Sequence, residues 1–499
     1  MEYRFQKTPC PCLEMILRQN QDAEQTLELR LNDGMPDIGR VISAWGQPVL
    51  RSKEWRGDEV SFSGGMMVWV LYGPEDGSAP RTVEGWVPFR MAWSISPGER
   101  DGQIRLHCRP RFTDARRLSP RKLMVRCGMA AQAQALLPTQ PDILSPEEPD
   151  GNLQLLWQSY PVRLMKEAGE KVFALDEELT LPPSAPQPEK LVYYTLNPEV
   201  MDTKVLTDRL VFRGNGNLHV LYLSEEGKLA AWDFPLAFSQ FAELEGSYGS
   251  DAEADVEMMV TNLELNMDSE GMLRLKCGLA GQYLLNQPQM IRVVSDAYAP
   301  GYDLEITRDQ LHLPVMLENR QENIPVRQQL PGPSGTAVDA LFLPDLPKYR
   351  DMGEQGRMEL NGVFQTLSYN EEDTLNAAST RWEGELPMGV HDHAQIGALP
   401  QNGTSVQMLS DGEGQALRCD VTMKLSTMGT TNIPVITGLS LGEKQSSDRQ
   451  KPSLILRRAG QNSLWELAKA SGSTVEEIQK ANNLTAEPEP GQMLLIPVR

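Results

Sequence analysis

Long apolar runs are missing from this sequence. No stretch of about eighteen consecutive apolar residues occurs among its 499 residues, so no transmembrane helix is predicted. The first residues, MEYRFQKTPCPCLEM, contain neither an apolar stretch of signal-peptide length nor an A-x-A cleavage site. We therefore expect the protein to stay in the cytoplasm of the cell that makes it.

Cysteine is also scarce. The six cysteines do not have the spacing of a secreted disulfide framework. Four of them, Cys108, Cys127, Cys277 and Cys419, lie in strand-like sequence. We expect these four to be small buried hydrophobic residues.

Motifs that carry catalysis or bind metal are absent too. No G-x-S-x-G segment, phosphate-binding loop or H-E-x-x-H helix occurs, and five histidines leave few members for a catalytic triad. Cys10-Pro-Cys12 lacks a second Cys/His pair with which to complete four metal ligands. His391-Asp-His393 lies in a polar insertion and is expected to be solvated. The sequence thus predicts no catalytic residue, no metal site and no cofactor, and we expect that the protein is not an enzyme.

Basic residues are fewer than acidic ones: the sequence has 47 Lys and Arg against 68 Asp and Glu, which gives a net charge of −21. This balance argues against nucleic acid or an anionic lipid surface as a partner of the whole protein. The imbalance is uneven: residues 451–499 hold six basic and five acidic residues and are close to neutral.

What the sequence does contain is a repeat. GGMMVWVLYGPEDG, from Gly64, returns as GNGNLHVLYLSEEG from Gly214, 150 residues later. RCGMA from Arg126 returns as KCGLA from Lys276 at the same distance, and a weaker third copy reads LNGVFQTLSYNEED from Leu360 and LRCDVTM further on. Self-similarity at a fixed distance indicates one structural unit used several times.

The repeated unit has the character of a β-strand followed by a turn. β-branched and aromatic residues precede an acidic-Gly segment, and 36 prolines and 40 glycines suit many short strands. The sequence therefore predicts a mainly β protein built from three tandem β-sandwich-like modules. Tyr72 and its counterpart Tyr222 are expected to be buried with their hydroxyl groups paired. The tryptophans of the first module are expected in its core; they are Trp45, Trp55, Trp69, Trp86 and Trp93.

Composition divides the chain further. Residues 1–26 read as a loose or helical leader, and the Pro- and Glu-rich segment 138–152 reads as a linker or long loop. The predicted units are, in order, a leader over 1–26, β modules over 27–155, 156–290 and 291–443 (the last one degenerate), a linker over 444–453 and a small domain over 454–499.

The small domain changes character and reads as a βααβ unit. Ser463 followed by Glu466 forms a capping box that begins a helix, and Ser473 followed by Glu476 is expected to begin a second helix in the same way. Asn482-Asn483 is a suitable end for that helix, because Asn tolerates the left-handed C-cap conformation.

This C-terminal sequence resembles a LysM domain. SLWELAKASGSTVEEIQKANNL followed by PGQMLLIP carries the resemblance. The family binds glycans that contain N-acetylglucosamine, such as peptidoglycan, in a groove between the loop before the first helix and the loop after the second. The resemblance implies the following groove residues here: Gly460, Gln461, Asn462, Ser463, Leu464, Trp465, Asn482, Asn483 and Leu484. Compared with the usual Gly-Asp-Ser/Thr-Leu, the first loop has one extra residue and no acid.

The repeats together with this domain resemble the SipL-like spore-coat morphogenetic proteins, which combine SPOCS domains with a C-terminal LysM and are distantly similar to SpoVID. The segments that carry the resemblance are MPDIGRVISAWGQP from Met35, VLYGPEDG from Val70, SPRKLMVRCGMAA from Ser119 and VSDAYAP from Val294. On this basis the repeats would be SPOCS-like. The resemblance is strongest in the first repeat and in the LysM.

The resemblance implies a non-enzymatic scaffold in sporulation. Such a protein lies in the mother-cell cytoplasm at the forespore surface and links the coat base, through a SpoIVA-type ATPase, to other coat proteins. The alternative is a peptidoglycan-binding protein that acts at cortex or cell wall. The altered first loop favours a LysM that holds a protein partner, with Leu464–Trp465 as the expected anchor.

Overall fold

The structure is a computed structural model that describes residues 2–95, 102–147, 153–329, 336–353, 355–390, 393–401, 406–411, 414–444 and 453–498. Within these residues no helix has the length and apolar character needed to cross a membrane.

The first repeat consists of two antiparallel sheets. Its strands are β1 (Phe5–Pro9), β2 (Cys12–Arg30), β3 (Ile38–Arg56), β4 (Glu59–Pro74), β5 (Arg81–Ser94), β6 (Gln103–Ser119), β7 (Lys122–Thr139) and β8 (Asp142–Pro146). One sheet has the order β3-β4-β5 and the other the order β2-β7-β6. Apolar side chains from both sheets, such as Val70 of β4 and Val125 of β7, share one buried core.

The second and third repeats use the same arrangement. The second contains β9 (Gln154–Leu179), β10 (Pro188–Val205), β11 (Arg209–Ser224), β12 (Leu229–Glu243), β13 (Glu253–Met267) and β14 (Leu273–Tyr298), with sheets β10-β11-β12 and β13-β14-β9. The third contains β15 (Tyr302–Gln329), β16 (Thr336–Pro344), β17 (Lys348–Asp351), β18 (Gly356–Tyr369), β19 (Leu375–Met388), β20 (Gln395–Pro400), β21 (Gln407–Asp411) and β22 (Gly414–Lys444). There β18 pairs with β16, β17 and β19, and β22 pairs with β15, β20 and β21. The mainly β fold with three sandwich-like repeats is therefore confirmed.

Each repeat extends into a two-stranded ribbon formed by its first and last strands. The ribbons are β1 with β8, residues 154–165 with 286–298, and residues 302–316 with 428–444. Their inner faces pack against one another in one core that includes Cys10, Leu164, Ile291, Leu313 and Ile433. The three repeats thus share a common stem in addition to their separate sandwiches.

Several sequence expectations need correction at this level. The leader predicted over 1–26 is instead β1 and most of β2, which is an edge strand of the first repeat. Within the linker predicted over 138–152, residues 142–146 form β8 and pair with β1. The boundaries placed at 155 and 290 fall inside β9 and β14. The independence of each repeat as a domain stays a prediction.

Other expectations are confirmed. Cys108, Cys127, Cys277 and Cys419 are free thiols buried in strands. Tyr72 is fully buried and donates a hydrogen bond of 3.0 Å to the carbonyl of Pro36. Tyr222 is equally buried, but its hydroxyl has no partner among the described residues, so its expected pairing is wrong.

The tryptophans of the first repeat divide into two groups. Trp45, Trp69 and Trp93 are buried as expected, and Trp55 is half-buried against the core of the first repeat. Trp86 is 36% exposed, so its expected place in the core is wrong. Trp45 stacks on Tyr193 of the second repeat with ring centroids 4.7 Å apart, and Trp69 meets Tyr194 edge to face. These two indoles therefore join the first repeat to the second as well as filling a core.

The C-terminal unit consists of β23 (Leu454–Arg458), α1 (Leu464–Ser471), α2 (Val475–Asn482) and β24 (Met493–Pro497), with β23 and β24 antiparallel. Ser463 caps α1 in a capping box with Glu466, and Asn483 ends α2 at φ 51°, both as predicted. The second helix begins one residue later than predicted, because its N-cap is Thr474 rather than Ser473, and the Thr474 hydroxyl accepts a hydrogen bond from the amide of Glu477.

Candidate functional site

The loop before α1 and the loop after α2, between which the LysM resemblance places a groove, come together. The amide of Leu464, the first residue of α1, donates a hydrogen bond of 2.8 Å to Glu487 Oε2 in the second loop. A carboxylate at a helix N-terminus is favourable because the free amides and the helix dipole present positive charge there. The acid that is missing from the first loop is thus supplied to α1 from the second.

Asn482, one of the predicted groove residues, has a structural role. Its side-chain amide donates to the carbonyl oxygens of Ile478 and Leu495, at 2.8 and 2.7 Å, and its oxygen accepts from the amide of Leu495 at 2.7 Å. These three hydrogen bonds connect the end of α2 to β24. Asn482 therefore holds the second loop in place and has little remaining capacity for a ligand.

The nine predicted groove residues differ in exposure. Leu464 is buried in the core of the unit, with an exposed fraction of 2%, and cannot anchor an external partner. Ser463, Trp465, Asn482 and Leu484 are half-buried, and the exposed ones are Gly460, Gln461, Asn462 and Asn483. The part of the predicted groove that a ligand could reach is therefore small and polar.

Trp465 lies against the repeats instead of facing solvent. Its Nε1 donates a hydrogen bond of 2.8 Å to Asp296 Oδ2 in β14, and its ring meets Tyr298 edge to face at 4.8 Å. Lys469, one turn along α1, donates to both oxygens of Asp296 at 2.8 and 2.6 Å. The expected anchor for an outside partner is thus engaged within the chain.

Asp296 and Tyr298 form the other side of this contact. Arg308 also reaches Asp296, at 3.0 Å, and the Tyr298 hydroxyl donates to the carbonyl of Ser473 at 3.0 Å. Burial favours the neutral carboxyl of Asp296, but the hydrogen bonds from Lys469 and Trp465 outweigh it and lower its pKa. Tyr298 belongs to the same buried cluster as the core of the C-terminal unit.

The sequence did not identify these two residues as a site. They lie in VSDAYAP, which carried part of the family resemblance, but nothing in the sequence connects that segment to a helix some 170 residues later. Asp296 and Tyr298 come close to α1 only because the end of β14 is folded into its ribbon.

A second polar cluster, also missed from the sequence, joins the three repeats. Asp255 of the second repeat pairs with Arg105 of the first at 2.6 Å and with Lys424 of the third at 2.8 Å. Lys424 also reaches Glu257 at 3.1 Å. Although burial opposes ionisation of Asp255, the two cations outweigh it and hold its pKa well below the usual range.

The same cluster contains a neutral histidine. Burial, assisted by the charge of Arg109, holds the pKa of His107 well below its ordinary value. His107 Nε2 accordingly accepts a hydrogen bond of 3.0 Å from Arg109 Nε. A buried set of shifted groups is also typical of active sites, but here every member bridges repeats or supports a bridge, which identifies a structural joint.

The other joints between repeats also contain ion pairs. His219 of the second repeat lies 2.7 Å from Asp233 and 3.3 Å from Asp339 of the third. Burial lowers the pKa of His219, but the two carboxylates outweigh it and raise the pKa to about 10. Arg111 of the first repeat pairs with Asp345 of the third at 3.2 Å. Each repeat is therefore joined to both of the others.

Metal-binding clusters can be considered only where the chain is described. Across those ranges no group of three or more His, Cys, Asp or Glu residues is placed to hold a metal ion. Cys10 and Cys12 are buried in the shared core of the ribbons. His393 is exposed in a turn, and His391 lies outside the described residues.

Two segments match known families. Residues 187–268 match the family described as SipL, SPOCS domain, and residues 460–497 match the family described as LysM domain. The first match falls in the second repeat, whereas the sequence resemblance was placed most strongly in the first. No curated protein and no solved structure matches the chain.

These matches confirm the resemblance to SipL-like proteins at the level of domains. SPOCS and LysM are non-catalytic families, and their combination fits a protein related to the spore coat that has a peptidoglycan-binding module. The chain thus contains a SPOCS domain of the SipL kind in its second repeat and a LysM domain at its C-terminal end.

Proposed function

We propose that this protein is a non-enzymatic scaffold of sporulation that links the coat base, a layer of a SpoIVA-type ATPase at the forespore surface, to other coat proteins. The observation that carries the proposal is the presence of a SPOCS match and a LysM match in one chain. We place the protein in the mother-cell cytoplasm, where both kinds of partner would be reached.

The structure is suited to such a role in two respects. The three repeats share a ribbon core and are joined by ion pairs, so their outer surfaces hold fixed positions relative to one another. The LysM domain contacts the end of β14, which places it beside the repeats before a partner binds. A scaffold that must hold several proteins in register benefits from the fixed geometry of the three repeats.

The test is imaging of a fluorescent fusion in a sporulating host, combined with capture of coat proteins by the full chain. We expect a shell around the forespore on the mother-cell side and recovery of the coat-base ATPase. A fusion that spreads evenly through the mother cell, with no coat protein captured, would contradict the scaffold.

Peptidoglycan binding is the second candidate, and one observation favours it. Seating on the repeats uses Trp465 and Lys469, so the lip formed by Gly460, Gln461, Asn462 and Asn483 remains exposed. Sedimentation of the full chain with purified peptidoglycan tests this candidate. Loss of sedimentation in Asn462→Ala and Asn483→Gly, but not in the exposed β22 variant Asp420→Asn, would establish the lip as a glycan site.

A further inference from the structure

The face of α1 that meets the repeats has the composition of a small binding site. Trp465 and Lys469 are four residues apart and lie on one side of the helix. Together they offer an indole N–H, an aromatic ring and an ammonium group. We call Trp465 and Lys469 the α1 face.

The chain also shows what this face binds. Asp296 and Tyr298 are alternate residues of β14, so an extended backbone directs both side chains to the same side. Asp296 accepts hydrogen bonds from Trp465 and Lys469, and the Tyr298 ring packs on Trp465 while its hydroxyl donates to the carbonyl of Ser473. The bound element is an extended segment with a carboxylate two residues before a tyrosine.

The contact is of a kind that can open. Its ionic part is partly solvated, since the side chain of Lys469 is 41% exposed and that of Asp296 is 21% exposed. A carboxylate from another protein can therefore compete for Lys469 at this contact. Residues 445–452, which cover most of the linker expected over 444–453, lie outside the described residues.

We propose that the α1 face is a binding site for an extended acidic-x-aromatic segment of a protein partner, and that the chain's own Asp296–Tyr298 occupies it until such a segment displaces it. This inference rests on the proposed role of the LysM domain in holding a protein partner. It adds the chemistry of the partner and makes the seated arrangement an autoinhibited state.

Competition within the chain has a measurable consequence. A segment of the same chain competes intramolecularly, so it acts at a high effective concentration. A free segment of the same sequence must therefore bind the native protein much more weakly than a variant whose own segment has been disabled.

The experiment uses a fluorescently labelled peptide VSDAYAP, the sequence from Val294, and full-length protein. In Asp296→Lys, the new cation faces Lys469 and Arg308, which should unseat the LysM domain. We expect this variant to bind the peptide at least tenfold more tightly than the native chain or the exposed charge-matched control Asp420→Lys. Binding should be lost when Trp465→Ala is added and when the peptide carries Asn in place of Asp.

Equal binding by the native chain and Asp296→Lys, or no binding by either, would overturn the proposal. Capture of coat proteins by the native chain distinguishes this failure from failure of the proposed function. If capture succeeds while the peptide does not bind, the scaffold stands without this site. If the peptide binds as expected while no coat protein is captured, the site stands and the scaffold role fails.

A second measurement covers the case in which Asp296→Lys disturbs β14. Hydroxyl-radical oxidation of Trp465, followed by mass spectrometry, reports its exposure in each variant. Oxidation should rise severalfold in Asp296→Lys and in Lys469→Glu, and should fall again in the double variant, where the charges are exchanged. If oxidation of Trp465 is the same in all four proteins, α1 is not held by this contact and the proposal fails.

Discussion

Tyr72 and Tyr222 show how far equivalence between repeats extends at the level of single residues. Both rings are buried to the same degree, because both follow the same strand pattern. Their hydroxyl groups differ, since Tyr72 donates to the carbonyl of Pro36 whereas Tyr222 has no partner among the described residues. The sequence could predict the burial but not the pairing, which depends on a separate segment.

This difference gives a matched pair of substitutions. Tyr72→Phe removes a hydrogen bond and should lower the free energy of unfolding by about 1 kcal/mol. Tyr222→Phe removes a buried hydroxyl that has no partner, so it should leave stability unchanged or raise it. Urea unfolding followed by tryptophan fluorescence checks both variants. A larger loss in Tyr222→Phe than in Tyr72→Phe would contradict this account.

The same limit applies to the LysM domain. The cap of α1 was predictable because Ser463 and Glu466 are three residues apart and act locally. The partner of Trp465 was not, because Asp296 is 169 residues away. Local rules fix caps and turns, but they do not show which half-buried aromatic residue another part of the chain will cover.

At the level of strands, Gly214 explains why a glycine recurs with the repeat. A Cβ atom added to Gly214 would lie 1.9 Å from the carbonyl oxygen of Glu199, and one added to Gly64 would lie 2.4 Å from that of Val49. In both repeats the neighbouring strand approaches too closely for any side chain. The glycine pair therefore marks a close backbone approach.

Gly214→Ala should consequently destabilise the protein by about 1–3 kcal/mol, as expected for overpacking against atoms that cannot move aside. Gly216→Ala is the control in the same strand. There the nearest atom is a methyl carbon of the Leu196 side chain at 3.1 Å instead of a backbone oxygen, so the substitution should cost less than Gly214→Ala. Thermal unfolding of the two variants tests the contrast, and equal melting temperatures would contradict it.

Strand β2 shows why the conformation of the N-terminal region does not follow from its local sequence. Its polar run, QNQDAEQ, has no clear alternation and reads as loop or helix. The strand lies at a sheet edge and is mostly exposed over this run, so polar side chains cost little there. Its conformation is determined by pairing with β7. A pairing partner more than 100 residues away cannot be recognised from the local sequence pattern.

At the level of the whole molecule, Asp255 connects all three repeats through Arg105 and Lys424. Asp255→Asn should leave Arg105 without its ion-pair partner and Lys424 with Glu257 as its remaining carboxylate. We expect a loss of about 3 kcal/mol, at the lower end of the cost of breaking a buried ion pair, because 21% of the Asp255 side chain is exposed. Asp420→Asn, which is exposed, is the control. Equal free energies of unfolding for the two variants would show that the joint contributes nothing.

The ion pairs of Asp255 also predict that the free energy of unfolding depends on pH. The pKa of Asp255 in the folded protein lies below that of an unfolded Asp, which is about 3.9. Its contribution is therefore fully present above about pH 4 and is lost as the pH falls through the folded pKa. The stability difference between native protein and Asp255→Asn should be constant from pH 7 to 5 and should shrink below about pH 4. A difference that persists unchanged at pH 3 would contradict this assignment.

The repeat and its strand character were predictable because they recur in the sequence, and the LysM fold was predictable because its caps and turns are local. The arrangement of the repeats was not. At positions 105 and 255, which are equivalent in the two repeats, one has arginine and the other aspartate. That difference is visible in the sequence, but its meaning depends on knowing that the two positions face each other.

The ribbons also determine how the protein would respond to a pulling force. In each repeat the residues where the chain enters and leaves the ribbon are opposite each other, as in Phe5 with Pro146, Gln154 with Tyr298 and Tyr302 with Lys444. Tension on the chain ends therefore draws the two strands apart from the tip and loads their hydrogen bonds one after another instead of all together. Under load, a ribbon should therefore open pair by pair from its tip and lose its part of the shared ribbon core before the sandwich behind it is loaded.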